Sequence, residues 1–249
     1  MAATEFGKGL IPRDYSTHPS GYAAAAQSPT DAMLVPEDEW EERLKEQKAN
    51  RASLLDLRKA YYSVLKSLDQ THYGLCWAFS TTKAIMYLMA IMNSPKVRLS
   101  AWWVAGKIKG WRDQGGWGSE SLDFIAANGV PEESFCPYYR SKFDTPETRT
   151  NAALHKAIEW WDGSEDRDRN RSIMISAFLL GLPPVLDLNW LGHSMCGCNL
   201  ESINPLIVNA DNSWNEINDF GPDGLYRLTG NKAIPDGIVV PRVSLPSLV

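Results

Sequence analysis

The sequence has no excess of basic residues, no long apolar run and no secretory pattern at its N-terminus. Its 25 Lys and Arg stand against 30 Asp and Glu, which gives a formal net charge of −5. Because nonspecific nucleic-acid binding needs a concentrated basic face, this balance argues against a nucleic-acid partner. The longest apolar run, residues 84–92, is far shorter than the roughly twenty residues of a membrane span, so no membrane segment is predicted.

Cysteine is also scarce, with four residues at Cys76, Cys136, Cys196 and Cys198. Few cysteines and no basic-then-apolar leader favour a reducing compartment. We therefore expect a cytoplasmic location, or one inside a virion or other large assembly, and not secretion. The thiols at positions 196 and 198 have no second Cys or His pair at ligand spacing nearby, so we expect no metal site and no cofactor.

Composition divides the chain into three parts. Residues 1–36 are rich in Pro, Gly, Ser and Ala, and residues 37–57 are charged and helix-prone. We therefore predict an extended N-terminal arm with a short charged helix over residues 1–52, one folded domain over 53–234 and a Pro-rich C-terminal tail over 235–249. An arm of this composition stays ordered only where something holds it, either its own domain or a partner chain.

Helical patterns dominate the first part of the domain and short strands dominate the second. Apolar, helix-forming segments follow Cys76 and recur to about residue 180, including one predicted over 152–161. The charged cluster at 164–171 is expected to be a solvated loop. From Pro183 onward, short apolar runs separated by Gly and Asn predict strands. Helices first and strands second predict an α+β fold.

The segment around Cys76 carries the most specific chemical pattern. An amide side chain, Gln70, precedes Cys76 by six positions, and an apolar helix-forming run follows the cysteine. A thiol at the start of a helix lies in the positive end of the helix dipole, which lowers its pKa and favours the nucleophilic thiolate. Such a nucleophile needs a base, and the base needs a group that orients it.

Four histidines could supply the base, and one of them, His193, follows a Pro-Pro-Val run that is predicted to be a strand. The other histidines lie in the arm, in the loop before the cysteine and on a predicted helix surface: His18, His72 and His155. Asn212 comes nineteen residues after His193, and Asp211 precedes it. Either side chain can accept from the imidazole and fix its tautomer.

Taken in chain order, these motifs resemble the papain family of cysteine peptidases: Gln70, Cys76-Trp77, Gly115-Gly116, His193 and Asn212-Ser213-Trp214. The resemblance covers about residues 53–230. It implies a papain-like α+β fold, in which a helical half packs on an antiparallel β half with the active site in the cleft between them. It also implies that Cys76 is the nucleophile, His193 the acid and base, Asn212 its orienting partner and Gln70 an oxyanion donor.

The resemblance further implies a substrate-binding surface. The Gly-Gly pair would bind the substrate backbone, and the Trp of Asn-Ser-Trp would shield the hydrogen bond between His and Asn. Gly118 and Leu191 would border the pocket that receives the second substrate residue before the cut. Because neither residue is charged, we expect an apolar substrate residue in this pocket. The implied binding residues are Gly115, Gly116, Gly118, Leu191, Gly192 and Trp214.

The sequence departs from the family pattern at several positions. Ser194 replaces the Ala that usually follows the histidine, and Asn215 replaces the Gly after Asn-Ser-Trp. Phe220 and Leu225 replace the aromatic residues of the closing strand. Tyr73 stands where secreted members carry a disulfide cysteine, so that bridge cannot form. We expect these changes to alter packing and not to remove the chemistry.

Two functions are consistent with this sequence. The first is a cysteine endopeptidase acting on protein or peptide substrates, because every catalytic position of the family is present. The second is a structural component of a virion or other large assembly that uses a papain-like domain as scaffold, with or without protease activity. The arm and the Pro-rich tail favour the second hypothesis, in which the arm binds assembly partners. The arm would alternatively block the cleft of its own domain.

Overall fold

The computed structural model describes residues 7–94, 96–157, 159–214 and 224–242. These residues contain eight α-helices: α1 Trp40–Ala49, α2 Leu54–Ala60, α3 Tyr62–Leu65, α4 Cys76–Ile91, α5 Ala101–Lys109, α6 Gly118–Asn128, α7 Pro146–Ala152 and α8 Arg167–Leu179. They also contain seven strands: β1 Ala26–Gln27, β2 Glu159–Asp162, β3 Val185–Leu188, β4 His193–Ile203, β5 Leu206–Asp211, β6 Leu225–Thr229 and β7 Gly237–Arg242.

The described strands form one sheet in the order β1-β2-β7-β3-β4-β5-β6. The short strand β1 pairs with β2 in parallel, and every other neighbouring pair is antiparallel. Seven of the eight described α-helices precede β2 in the chain, and several pack beside the sheet, which confirms the predicted α+β fold class.

Helix α4 is the central element of the molecule. Its residues are apolar on almost every side, and fourteen of the sixteen are buried. A helix of this kind needs neighbours all round, and α4 packs against β4 on one side and against α5 and α6 on others. The result places the first residue of α4, Cys76, at the junction between the helical half and the sheet.

The N-terminal arm lies along its own domain. Strand β1 extends the sheet at the edge of β2, and helix α1 buries Trp40 and Leu44 against α8. Trp40 also donates its indole N–H to the carbonyl oxygen of Val35 at 2.9 Å. Residue 53 therefore does not mark a structural boundary, because residues 7–52 share the core of the domain that follows.

The predicted C-terminal tail over 235–249 is wrong for its first part. Residues 237–242 form β7, which lies between β2 and β3 inside the sheet. Val239 and Val240 are buried there, and the run Gly-Ile-Val-Val is a better strand former than its Pro-rich flanks suggested. Residues 243–249 lie outside the described part of the chain.

Two local predictions before the sheet are also wrong. Helix α7 ends at Ala152, and the end of the predicted helix over 152–161 is instead β2, in which Trp160 and Trp161 are buried. The cluster predicted as a solvated loop contains the start of α8, since the side chain of Asp166 accepts from the backbone N–H of Asp168 and caps the helix. Aromatic residues favour strands, and Asp favours helix starts.

No described helix is long and apolar enough to span a membrane. No group of three or more His, Cys, Asp or Glu side chains lies together there in a way that would hold a metal ion.

Candidate active site

Cys76 begins α4 and its thiol is fully buried. Burial raises the pKa of this thiol to about 12, with smaller opposing effects from backbone groups of Ser194 and Gly9. The direction is opposite to the one predicted from the helix dipole. The difference arises because the N-terminal arm covers the thiol, and desolvation of a thiolate outweighs the dipole.

His193 is the first residue of β4 and is also fully buried. The turn before it is closed by Gly192, whose φ of +65° is a left-handed conformation that favours glycine. The imidazole Nε2 lies 3.0 Å from Oδ1 of Asn212, whereas Nδ1 has no hydrogen-bond partner among the described residues. Burial lowers the pKa of His193 to about 4, and the hydrogen bond with Asn212 opposes this shift.

The alternative orienting residue, Asp211, points away from His193. Its carboxylate accepts from Nε of Arg58 at 3.1 Å, and Nζ of Lys83 lies 3.2 Å from it. The hydroxyl of Ser67 donates to the other carboxylate oxygen at 2.8 Å. Neighbouring residues at the end of a strand face opposite sides, so the structure brings Asn212, and not Asp211, to the imidazole.

The side chain of Gln70 is held in one orientation. Its Oε1 accepts a hydrogen bond from the hydroxyl of Ser213, so its amide N–H groups face the cleft. Nε2 donates to the carbonyl oxygen of Tyr73 at 2.7 Å and to that of Gly7, in the arm, at 2.8 Å. The Gly7 carbonyl also accepts from the indole N–H of Trp214 at 3.2 Å. The carbonyl oxygen of Gly7 thus accepts from the Gln70 amide, the donor that the family resemblance assigns to an oxyanion.

Trp214 packs on the histidine as the sequence analysis expected for a shielding residue. The centroids of its ring and of the His193 ring are 4.3 Å apart. Water is therefore kept from the imidazole face that the Trp covers, and the hydrogen bond to Asn212 lies in surroundings of low dielectric.

The glycine pair assigned to substrate binding contacts the arm through backbone hydrogen bonds. The N–H of Gly116 donates to the carbonyl oxygen of Gly9 at 2.9 Å, and the N–H of Ile11 donates to the carbonyl oxygen of Gly116 at 3.0 Å. The N–H of Leu10 donates to the carbonyl oxygen of Gly192 at 3.2 Å. A two-way backbone pairing of this kind is how an extended peptide adds to a strand-like edge.

The fit between arm and cleft depends on glycines. A Cβ built on Gly9 would lie 1.8 Å from the carbonyl oxygen of Gly74, and one built on Gly7 would lie 2.0 Å from that of Tyr73. A Cβ on Gly115 would lie 2.6 Å from the carbonyl oxygen of Gly9. Because these obstacles are backbone atoms, a larger residue at position 9 displaces the arm.

The two residues assigned to the border of the substrate pocket differ in position. Gly118 opens α6, and its N–H donates to Oδ2 of Asp187 at 3.0 Å. Leu191 lies in the turn between β3 and β4, where its N–H donates to the carbonyl oxygen of Leu188. Sequence reasoning missed Asp187, although a lone acid within the otherwise apolar run Val-Leu-Asp-Leu was a usable signal.

The remaining histidines have local partners of their own. His18 packs edge-on against Trp117, and His72 stacks on Tyr73. The ring Nδ1 of His155 lies 3.0 Å from a backbone carbonyl oxygen, and the residue is buried, which corrects the prediction of a helix-surface position. Asn215 and Phe220, two of the departures noted above, lie outside the described residues.

The sequence profile of the papain family of cysteine proteases matches residues 52–181, slightly more than half of the chain. This chain belongs to the papain family. No curated protein matches it. The family match covers Cys76 and the glycine pair and ends before the strand that carries His193. The assignment of His193 and Asn212 to the site therefore depends on the geometry described above.

Solved structures of papain-family proteases share the fold at low sequence identity. Xylellain, a cysteine protease from Xylella fastidiosa, is 14% identical with a TM-score of 0.64, and the match covers 98% of this chain and 99% of that one. Bromelain from Ananas comosus in complex with the E64 inhibitor is 20% identical with a TM-score of 0.58, covering 75% and 97%.

A third structure, digestive procathepsin L 3 of the Tenebrio molitor larval midgut, is 18% identical with a TM-score of 0.57. The match covers 72% of this chain and 66% of the procathepsin, so this chain spans about two thirds of that protein's length. At these identities the likeness shows the fold alone.

Proposed function

We propose that this protein is a cysteine peptidase whose cleft is closed by its own N-terminal arm. The observation that carries the proposal is the state of His193. Its Nε2 is bound to Asn212, while its buried Nδ1 has no hydrogen-bond partner within the described part of the chain, and Cys76 lies at the start of the adjoining helix. A base held by one nitrogen and uncommitted at the other is the arrangement that proton transfer from a thiol requires.

The reaction follows from these groups. His193 accepts the thiol proton, and the Cys76 sulfur forms a bond to the carbonyl carbon of the substrate. The carbonyl oxygen takes up the negative charge between the Nε2 amide of Gln70 and the N–H of Cys76, which lacks an intrahelical partner in the first turn. His193 then gives its proton to the leaving nitrogen as the C–N bond breaks and a thioester remains.

Hydrolysis of the thioester completes the cycle. His193 takes a proton from water, whose oxygen attacks the thioester carbonyl through the same oxyanion arrangement. The C–S bond then breaks, His193 returns a proton to the sulfur, and the acid product leaves. Asn212 holds the imidazole in the orientation that both halves of the reaction need.

The arm prevents this chemistry in the described state. The carbonyl oxygen of Gly7 accepts from the Gln70 amide, and the N–H of Leu10 donates to the Gly192 carbonyl oxygen. Gly9 and Ile11 bind the N–H and the carbonyl oxygen of Gly116. Burial under the arm also keeps the pKa of the Cys76 thiol high. Substrate binding and thiolate formation therefore both require that residues 7–11 leave the cleft.

The test is labelling with a thiol-directed epoxide such as E64, followed by intact mass. Gly9→Ala adds a Cβ where backbone atoms stand 1.8 Å away, so it displaces the arm without deleting any folded segment. We expect one adduct on Gly9→Ala, formed at least about tenfold faster than on the wild type and absent when Cys76→Ala is added. Lys8→Arg is the matched control, because the side chain is exposed and the change keeps the positive charge that helps to lower the pKa of His193.

Each outcome separates the two parts of the proposal. A folded Gly9→Ala variant that neither forms an adduct nor cleaves a peptide library would exclude a peptidase. Equal labelling rates in wild type and Gly9→Ala would leave the peptidase standing and exclude closure by the arm. The assembly hypothesis has no comparable support, since contacts within the chain already account for the ordered arm.

A further inference from the structure

An acidic side chain lies at the base of the cleft beneath the arm. Asp187 belongs to β3, is 7% exposed and accepts from the N–H of Gly118 at its Oδ2. Its other oxygen, Oδ1, is buried and has no hydrogen-bond partner among the described residues. Burial raises the pKa of this carboxyl to about 6, and this shift is opposed by the Ser194 side chain, the N–H of Gly118 and the charge of Arg13.

The arm closes over this carboxyl. A cavity of about 20 Å³ separates Asp187 and Gly237 from the arm residues Leu10, Arg13 and Tyr15. A Cβ built on Gly237 would lie 3.5 Å from both Oδ2 of Asp187 and the hydroxyl oxygen of Tyr15. The Tyr15 hydroxyl, like Oδ1 of Asp187, has no hydrogen-bond partner in the described residues. The cavity is thus polar on both sides and belongs to the cleft that the arm fills.

The backbone contacts of the arm define which side chain meets Asp187. Leu10 pairs with Gly116 in a parallel bridge, and its buried side chain borders the cavity. The same Gly116 offers its N–H and its carbonyl to any extended peptide that replaces the arm. The substrate residue whose backbone pairs with Gly116 will therefore place its side chain beside Asp187.

A second carboxylate lies nearby on the same sheet. Asp162 of β2 pairs with Val239 of β7, and Asp187 pairs with Gly237 of β7, two residues away on the same face. Both terminal nitrogens of Arg13 bind Asp162, at 2.5 and 2.9 Å, and this ion pair is buried. A third acid, Asp236, also lines the cavity and has its own cation, Arg167, at 3.2 Å. Arg13 is thus the arm's guanidinium for Asp162 and Asp187, and both acids lose their cover when the arm leaves.

We propose that Asp187 sets the specificity of the cleft and selects peptides with Arg or Lys at the residue that pairs with Gly116, the second residue before the cut. This inference rests on the proposed peptidase function. A cationic side chain supplies the hydrogen bonds and charge that Oδ1 lacks, whereas an apolar one leaves a carboxyl buried and unpaired. The apolar preference predicted from Gly118 and Leu191 considered only the rim of the pocket.

The test uses fluorogenic peptides that differ only at the second residue before the cut, assayed on the Gly9→Ala form. We expect kcat/KM for Arg to exceed that for Leu by about tenfold or more. Asp187→Asn should reduce this Arg-to-Leu ratio by about tenfold, chiefly through KM, and Asp187→Glu should restore part of it. Preference for Leu, or a ratio that Asp187→Asn leaves unchanged, would overturn the inference.

Asp162→Asn is the matched acid. If the ratio falls with Asp162→Asn and not with Asp187→Asn, the assignment to Asp187 is overturned. Binding of the same peptides to the inactive Gly9→Ala, Cys76→Ala double variant, measured by calorimetry, separates this inference from the peptidase proposal. The Arg peptide could bind more tightly, in a way that depends on Asp187, and yet not be cleaved by the Gly9→Ala form. That result would overturn the proposed peptidase function and support the specificity assigned to Asp187. Equal Kd values would sink the pocket.

Discussion

Asp211 and Asp187 are both buried carboxylates on the sheet that carries His193, but their surroundings differ. Asp211 has Arg58, Lys83 and Ser67 within hydrogen-bond distance, so each of its oxygens has a partner. Asp187 accepts from the N–H of Gly118 and interacts with the Ser194 side chain, and its Oδ1 has no partner among the described residues. The first acid thus has a partner at each oxygen, whereas the second has one oxygen without a partner in the described part of the chain. Incomplete pairing of a buried acid is therefore the better indicator of a binding site.

The largest expected effect tests the completed cluster. Asp211→Asn removes the negative charge that compensates two buried cations, and burial already lowers the pKa of Lys83. Removing one partner of a buried ionic network costs on the order of 3–5 kcal/mol of unfolding free energy. Urea unfolding followed by circular dichroism measures this loss. A loss below about 1 kcal/mol would contradict the structural role of Asp211.

The second prediction concerns His193, which lies between the two acids. Burial holds its folded pKa at about 4, below its usual value near 6.5, so the unfolded state binds more protons between these pH values. The stability that this histidine contributes is thus present above pH 6.5 and is lost as pH falls toward 4. The shift corresponds to roughly 3 kcal/mol.

Comparison with His193→Gln isolates this contribution. Unfolding free energies of the two proteins should converge by about 3 kcal/mol as the pH is lowered from about 7 to 4. Asp187, whose pKa is raised, acts in the opposite direction in the same window, so the pair is best measured in an Asp187→Asn background. Parallel pH profiles would show that His193 is not desolvated as described.

The smallest expected effect tests the incomplete acid. Asp187 has a folded pKa of about 6 against an ordinary value near 4, so the unfavourable burial of its charge develops as pH rises through that interval. Asp187→Asn keeps an acceptor for Gly118 and carries no charge. It should stabilise the protein by roughly 1–2 kcal/mol at pH 7 and by less at pH 4. Equal destabilisation at both pH values would place Asp187 with Asp211 as a structural acid.

Much of the catalytic geometry was predictable because the relevant signals are local. A cysteine followed by a helix-forming run and a histidine at the start of a strand were predicted from segments of about ten residues, and these became α4 and β4. The choice of Asn212 over Asp211 rested on the Asn-Ser-Trp motif. The structure explains the choice by the buried cations on the opposite side of the strand, which no local pattern displays.

Other features could not be predicted because they depend on distant contacts. The arm fits its cleft because the backbone approaches closely at Gly9, Gly74 and Gly115. These glycines are far apart in the sequence and meet only after folding. Strand β7 was not predicted because prolines flank it in the sequence. Its position in the sheet depends on its neighbours β2 and β3. The position of Asp187 near the cleft was not predicted for the same reason, since this residue comes from the sheet and not from the glycine loop.

The attachment of the arm at β1 and at Arg13 has a kinetic consequence. Residues 7–11 are tethered beside the cleft, so under the proposed function they would compete with substrate at an effective concentration set by the tether, which for short linkers is on the order of millimolar. Dilution of the protein does not weaken such a competitor. If the open form is about one part in a hundred, the apparent KM for any peptide rises about a hundredfold above its intrinsic value. Substrate supply or an arm-binding factor, and not protein concentration, would then govern turnover.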